Sequence, residues 1–281
     1  MPTHFLMCPP DYFGVNYSIN PWMKDQIGKV DPAAGRRQWN AFHKTLSERA
    51  EVYLMEPRPH VPDLVFTANA GLLYGNRFVP SRFRFRERKP EEPFFRQWFH
   101  LRGYDIADIG NDFCFEGAGD ALLQPGQPKL WLGYGFRTDL KAGEFLSSTL
   151  QVRVIPLRLA DPRFYHLDTC FCPLLDGKVL YYPGAFDPPS LRRIEANTRP
   201  GQRIPVNEAD AMQFACNLTL VDRTLIMNSA SPGLRDRLKR EGYTVCVRPV
   251  SEFLKAGGAN KCLTLALESR SSRAPGLKTA A

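Results

Sequence analysis

Apolar and polar positions alternate along this chain in short bursts. Val179-Leu180-Tyr181-Tyr182, Leu218-Thr219-Leu220-Val221 and Leu225-Ile226-Met227 are strand-length and apolar, and they are bounded by turn signals such as Asp176-Gly177. Longer segments with helical character stand between such bursts: Arg36 to Glu48, Pro93 to Leu101, Leu140 to Leu150, Pro189 to Ala196 and Leu234 to Glu241. Each is followed by one more strand-like stretch, at Glu51–Leu54, Tyr104–Ile106, Val152–Ile155, Arg203–Val206 and Tyr243–Val247. Hairpin, helix and strand therefore recur with a period of roughly fifty residues, and a fixed period marks a repeat architecture. Four hairpins are continuous: Val65-Phe66-Thr67 with Arg77-Phe78-Val79, Ala121–Leu123 with Leu130–Leu132, Thr169–Leu175 with Val179–Tyr182, and Leu218–Val221 with Leu225–Met227. The fifth is predicted to be split, Lys261–Leu265 pairing with His4–Met7. Joining the two ends closes a ring and removes exposed sheet edges.

Such a ring brings equivalent loops to a common axis. The start of each hairpin carries Asn69, Glu116, His166, Asn217 or Cys262, which then meet although they are far apart in sequence. A cysteine beside a histidine forms a nucleophile with its general acid/base, and a carboxylate nearby can hold a cation. The Gly257-Gly258 pair before Cys262 frees the backbone for close approach to a ligand.

Composition narrows the picture. With 43% hydrophobic residues among 281, the chain can bury a full core, so wholesale disorder is excluded. The reading is one domain over residues 1–268 and a flexible tail over 269–281. No apolar run approaches the ~20 residues of a membrane span, and the N-terminal segment lacks the pattern of a signal peptide. A cytoplasmic address is expected. Seven cysteines, an odd number without a small-domain pattern, read as free thiols. No second cysteine or histidine pair stands at zinc spacing, so no metal is expected. The net charge of +8 raises the question of nucleic acid. The cations are scattered through all five repeats with no recognition motif, which argues against it. Arg82, Arg84, Arg86 and Arg88 alternate with other residues, and in an extended segment all four point to one side, most of them as a solvated edge.

The set Phe66-Thr67-Ala68-Asn69-Ala70-Gly71, Phe115-Glu116-Gly117, His166-Leu167-Asp168-Thr169 and Gly257-Gly258 before Cys262 resembles the guanidine-modifying superfamily, the penteins. The likeness runs in order from Met7-Cys8-Pro9-Pro10 through Asn20-Pro21-Trp22-Met23 to Cys262. It implies an α/β fold, a five-fold α/β propeller, in agreement with the repeat count. It also implies roles. Cys262 is similar to the nucleophile that attacks the guanidinium carbon, and His166 to the acid that protonates departing ammonia and then activates water. Glu116 and Asp168 are similar to the carboxylates that hold the guanidinium. Arg88, Arg137 and Asn20 stand where relatives grip the substrate's α-carboxylate end.

Asn69 departs from the aspartate usual in deiminases and resembles the dihydrolase branch. An asparagine both accepts and donates hydrogen bonds, which suits a guanidinium first and a ureido group afterwards. The expected function is therefore an arginine dihydrolase without cofactor, acting on a small arginine-like substrate with no nucleic acid or membrane partner; homo-oligomerisation is left open. Two alternatives remain: a dimethylarginine hydrolase or deiminase producing citrulline, and a guanidino-binding protein without turnover.

Overall fold

The computed structural model describes residues 4–267. The proposed tail, 269–281, lies outside the described residues.

Five three-stranded sheets are strung along the chain. Strand β1 (His4–Met7) runs parallel to β2 (Glu51–Leu54). The next sheet is β3 (Gly71–Tyr74), β4 (Arg77–Pro80) and β5 (Asp105–Ile106). Then come β6 (Ala121–Leu123), β7 (Lys129–Tyr134) and β8 (Arg153–Arg158), followed by β9 (Phe171–Pro173), β10 (Val179–Tyr181) and β11 (Arg203–Pro205). The chain continues through β12 (Thr219–Val221), β13 (Thr224–Met227) and β14 (Thr244–Val247). In each of these four sheets the first two strands are antiparallel and the third lies parallel to the second. The last strand, β15 (Leu265–Leu267), pairs antiparallel with β1, His4 opposite Leu267 and Leu6 opposite Leu265. The chain ends thus complete the fifth unit, as the sequence predicts, with the pairing segment shifted to Leu265–Leu267.

A helix precedes the third strand of every unit: Pro32–Ser47, Glu92–His100, Ala142–Leu150, Pro188–Ala196 and Pro232–Arg240. Three begin with proline behind an acceptor side chain. Asp31, Asp187 and Ser231 each cap a backbone N–H left open by the first turn. The helices' apolar faces cover the sheets, and the buried clusters join neighbouring units. Leu6, Leu73, Phe78 and Phe99 bridge the first two, and Leu122, Trp131, Phe171 and Leu225 bridge the third to fifth. Truncating a fully buried ring such as Phe42 or Phe78 to alanine costs about 3–5 kcal/mol.

Three sequence expectations are corrected. Val65-Phe66-Thr67 is not a strand: 3-10 turns occupy Pro62–Val65 and Thr67–Ala70, and the strand starts at Gly71. The whole run from Val61 to Leu73 is buried, so its composition imitates a core strand while its backbone turns at the axis. Lys261 to Thr264 likewise forms a turn. The Arg82–Arg88 segment does not extend either. Its one strand-like contact is an isolated bridge from Arg82 to Phe115, after which it bends; Arg84 and Arg86 are exposed whereas Arg88 is buried.

Candidate active site

The turns before the inner strands meet on the axis and are stitched unit to unit by hydrogen bonds. Ala68 N–H donates to Cys262 O at 3.1 Å, Asn69 Nδ2 to Glu116 O at 3.3 Å, and Leu167 N–H to Asp120 Oδ1 at 3.0 Å. Asn217 Nδ2 donates to Asp168 O at 3.1 Å, and Cys262 N–H to Asn217 Oδ1 at 3.2 Å. These five links run right round the ring. Close packing demands small residues there. A Cβ on Gly117, whose φ is +60°, would lie 2.7 Å from Gly71 N. One on Gly258 would collide with the Phe66 ring. The Gly257-Gly258 pair therefore makes room for the protein's own rings; the sequence reading had assigned that room to a ligand.

On one side of the axis lies Cys262. Its sulfur stands 3.5 Å from Asp168 Oδ2 and accepts a hydrogen bond from Asn217 Nδ2 at 3.1 Å. Burial pushes the thiol well above its ordinary range, and the Asp168 charge pushes it further. Burial also raises Asp168 to about 7, against the opposing pull of Lys261 and the hydrogen bonds from Cys262 and Asn217.

On the other side His166 Nε2 donates to Glu116 Oε2 at 2.7 Å; an ionised carboxylate only accepts, so Nε2 carries the proton. Burial lowers the imidazole to about 4 although Glu116 resists this. Glu116 is also buried, yet Arg137 and then His166 hold it well below the usual carboxylate range. Arg137 Nη1 reaches Glu116 Oε2 at 3.2 Å, and its guanidinium lies 4.6 Å from the Phe85 ring centre and 4.7 Å from that of Tyr165. Glu116 Oε1 accepts from Arg84 N–H at 3.2 Å. Its hydrogen bonds go to groups of the protein, so its geometry is that of a carboxylate orienting a histidine.

Asn69 joins this network through Oδ1, which accepts from Arg88 Nη1 at 2.9 Å. Arg88 is held in turn by both oxygens of Glu91 at 2.7 Å. Asn20 sits beside them, but its amide is committed to backbone: Oδ1 caps Trp22 and Met23, and Nδ2 donates to Ala256 O at 3.0 Å. Cys262, Asn69, Asn20, Arg88 and Arg137 line one cavity of about 10 Å3, the volume of a single water. Glu116, His166 and Asp168 do not line it; Asp168 touches Cys262 and Glu116 touches Arg137, which do.

Sequence reasoning missed Asp63, Glu91, Tyr165 and Lys261 as site residues, and left Asn217 without a role. Asp63 Oδ2 accepts from Tyr17 at 2.9 Å, while buried Oδ1 has no partner although Asp63 lines the cavity. An acid inside the apolar run Val61-Pro62-Asp63-Leu64-Val65 was the signal available. Among the described residues no group of three or more His, Cys, Asp or Glu is placed to hold a metal ion, and no helix is long and apolar enough to cross a membrane.

Comparison with known proteins finds relatives that share the fold and much of the sequence. A bifunctional arginine dihydrolase/ornithine cyclodeaminase, AgrE of Nostoc, is 52% identical over 93% of this chain. The chain covers 37% of that protein, a little over a third of its length. A dimethylarginine dimethylaminohydrolase of Mycobacterium tuberculosis is 37% identical over 93% of this chain and 84% of its own. Among solved structures, the N-terminal domain of ArgZ superposes with a TM-score of 0.94 at 48% identity, over 95% of this chain and 98% of that one. That structure is an asparagine-to-serine variant covalently bonded to a reaction intermediate. The family profile described as eukaryotic N,N-dimethylarginine dimethylhydrolase matches residues 9–268. With a five-unit ring, an axial cysteine and histidine, and that match over nearly its whole length, the chain belongs to the dimethylarginine dimethylhydrolase family.

Proposed function

We propose that this chain is an arginine dihydrolase, converting arginine and two waters to ornithine, carbon dioxide and two ammonia, with Cys262 as the nucleophile. The observation that carries the reading is the contact of the Cys262 sulfur with Asp168, beside a cavity lined by Asn69, Arg88, Arg137 and Asp63. In the ligand-free protein the thiol is raised and the imidazole lowered, so both are neutral near pH 7. A guanidinium against Asp168 supplies the positive charge that favours thiolate, so substrate arms the nucleophile.

The thiol proton passes to His166 as sulfur bonds to the guanidinium carbon. His166 returns it to a terminal nitrogen, the C–N bond breaks and ammonia leaves. His166 then takes a proton from water, oxygen adds to the carbon and the C–S bond breaks, leaving a ureido group and a free thiol. The guanidinium's surplus proton makes ammonium in solution. A second round on the ureido carbon releases the second ammonia and a carbamate, which loses carbon dioxide to give ornithine. Asn69, accepting through Oδ1 in one round and donating through Nδ2 in the next, serves the guanidinium and the ureido state of the same carbon. Arg88 and Arg137 match the α-carboxylate, and the unpartnered oxygen of Asp63 matches the α-ammonium. Admission of arginine requires the cavity to open, because it is filled by these arginines in the free state. Asn20 is assigned to shaping that end through the Asn20–Met23 turn.

The family match favours a second reading, a single hydrolysis of dimethylarginine to citrulline. Product stoichiometry separates the two. The dihydrolase reading expects two ammonia and one ornithine per arginine; citrulline with one ammonia overturns it. Asn69→Asp is expected to shift the products toward citrulline.

A further inference from the structure

A second cavity lies on the same axis, behind the cluster. It measures about 660 Å3 and is lined by the first strand of every hairpin, including Leu72, Leu122, Phe171, Leu220 and Ala266. Its mouth is open to solvent at exposed Gly126, Gln127 and Pro128, and its inner end carries Asp168, Lys261, Thr219 and Thr264. It shares no lining residue with the site cavity. The partition between them is one side chain thick: Asp168 lines the rear cavity and touches the sulfur of Cys262, which lines the front.

We propose that the rear cavity is the channel for water and ammonia, with the Asp168 side chain as its gate. The inference rests on the reading of Cys262 as nucleophile. The front cavity has free volume for about one water, and on the proposed reading it holds the amino-acid end of the substrate throughout a turnover. Each hydrolysis nevertheless consumes a water and expels an ammonia at the carbon bonded to sulfur. The solvent-connected space next to Cys262 through Asp168 is the rear cavity. Its mostly apolar wall passes small neutral molecules while excluding the charged substrate. Thr219 and Thr264 hydroxyls, 3.1 Å apart, and the Lys261 ammonium, which donates to Ala118 O at 3.4 Å, give water polar partners at the inner end.

The test narrows the cavity with Leu220→Trp and, independently, Ala266→Trp, and measures steady-state kinetics with intact-mass spectrometry of the enzyme during turnover. If water enters from the rear, kcat falls about tenfold, kcat/KM for arginine stays within about twofold, and the covalent intermediate accumulates on Cys262, because the step after ammonia release has slowed. Structural damage gives a different signature, a fall in kcat/KM without accumulation. Leu220→Ala, which widens the cavity, is expected to retain wild-type rates. Unchanged kcat in both tryptophan variants, or a loss of kcat without accumulated intermediate, overturns the proposal. Accumulation occurs whether the wild-type enzyme ends at citrulline or ornithine, so failure of the channel and failure of the dihydrolase reading are seen separately.

Discussion

Two buried carboxylates anchor the two sides of the cluster, Glu116 the imidazole side and Asp168 the thiol side, and their surroundings drive them in opposite directions. Glu116 has Arg137 and His166 against it and stays ionised well below the usual range. Asp168 has a thiol and an asparagine as hydrogen-bonding partners and a lysine acting on it electrostatically, and burial lifts it to about 7. Desolvation is complete for both; the difference is whether the protein supplies a cation in contact. Glu116 is a finished ion pair that fixes the histidine in one tautomer. Asp168 is left short of positive charge, which is the condition a guanidinium satisfies. The imidazole side is electrostatically closed, and the thiol side, where the proposed substrate binds, is electrostatically open.

The largest effect is expected from spoiling the closed side. Glu116→Gln removes the acceptor that fixes Nε2 as the protonated nitrogen of His166 and leaves Arg137 buried without its partner. We expect kcat to fall about a thousandfold and stability by about 3 kcal/mol, read by single-turnover kinetics and urea titration. A variant with near-normal kcat would show that His166 needs no such partner.

Asp168→Asn spoils the open side and should give the reverse combination. Activity is expected to fall about a hundredfold, while stability rises. The sign follows from linkage. The folded carboxyl, at about 7, binds its proton more tightly than an unfolded one near 3.9. Its folded-state advantage is complete below about pH 4 and is lost as pH rises through 7. Relative to wild type, the variant should therefore gain about 2 kcal/mol at pH 8 and less at pH 5. For the wild type, kcat/KM should climb with pH through about 7 as Asp168 ionises. A destabilised Asp168→Asn protein at pH 8 would contradict this account of the open side.

The smallest effect tests what little positive charge Asp168 has. Lys261 opposes the rise of the Asp168 pKa. Lys261→Met should displace the acid limb of the pH–rate profile upward by about one pH unit, with rates near wild type on the alkaline plateau. An unmoved limb would detach Lys261 from Asp168.

The ring was legible because its signal is repeated: apolar bursts and a helical segment before a further strand recur in every unit, with turn residues such as Asp176-Gly177 inside the continuous hairpins. Where legibility failed, burial had erased periodicity. Phe66-Thr67-Ala68 is apolar and continuous like a strand, and only the axis geometry makes it a turn. Convergence of Asn69, Glu116, His166, Asn217 and Cys262 followed from the repeat. Which of them pair did not, since Glu116 contacting His166 at 2.7 Å and Asn217 contacting Cys262 at 3.1 Å depend on rotamers that no spacing encodes. Arg88 looked like its neighbours Arg84 and Arg86 in sequence. It differs because Glu91, unremarkable in sequence, and Asp63, marked only by its apolar surroundings, give a buried guanidinium its partners.

The central claim is that the open side delivers a substrate carbon to Cys262. Rapid quenching of the enzyme with arginine labelled at the guanidino carbon, followed by peptide mapping, tests it most directly. The account predicts label on the Cys262 peptide within one turnover and its later appearance as carbon dioxide. Product formation with no label ever bound at Cys262 would contradict it.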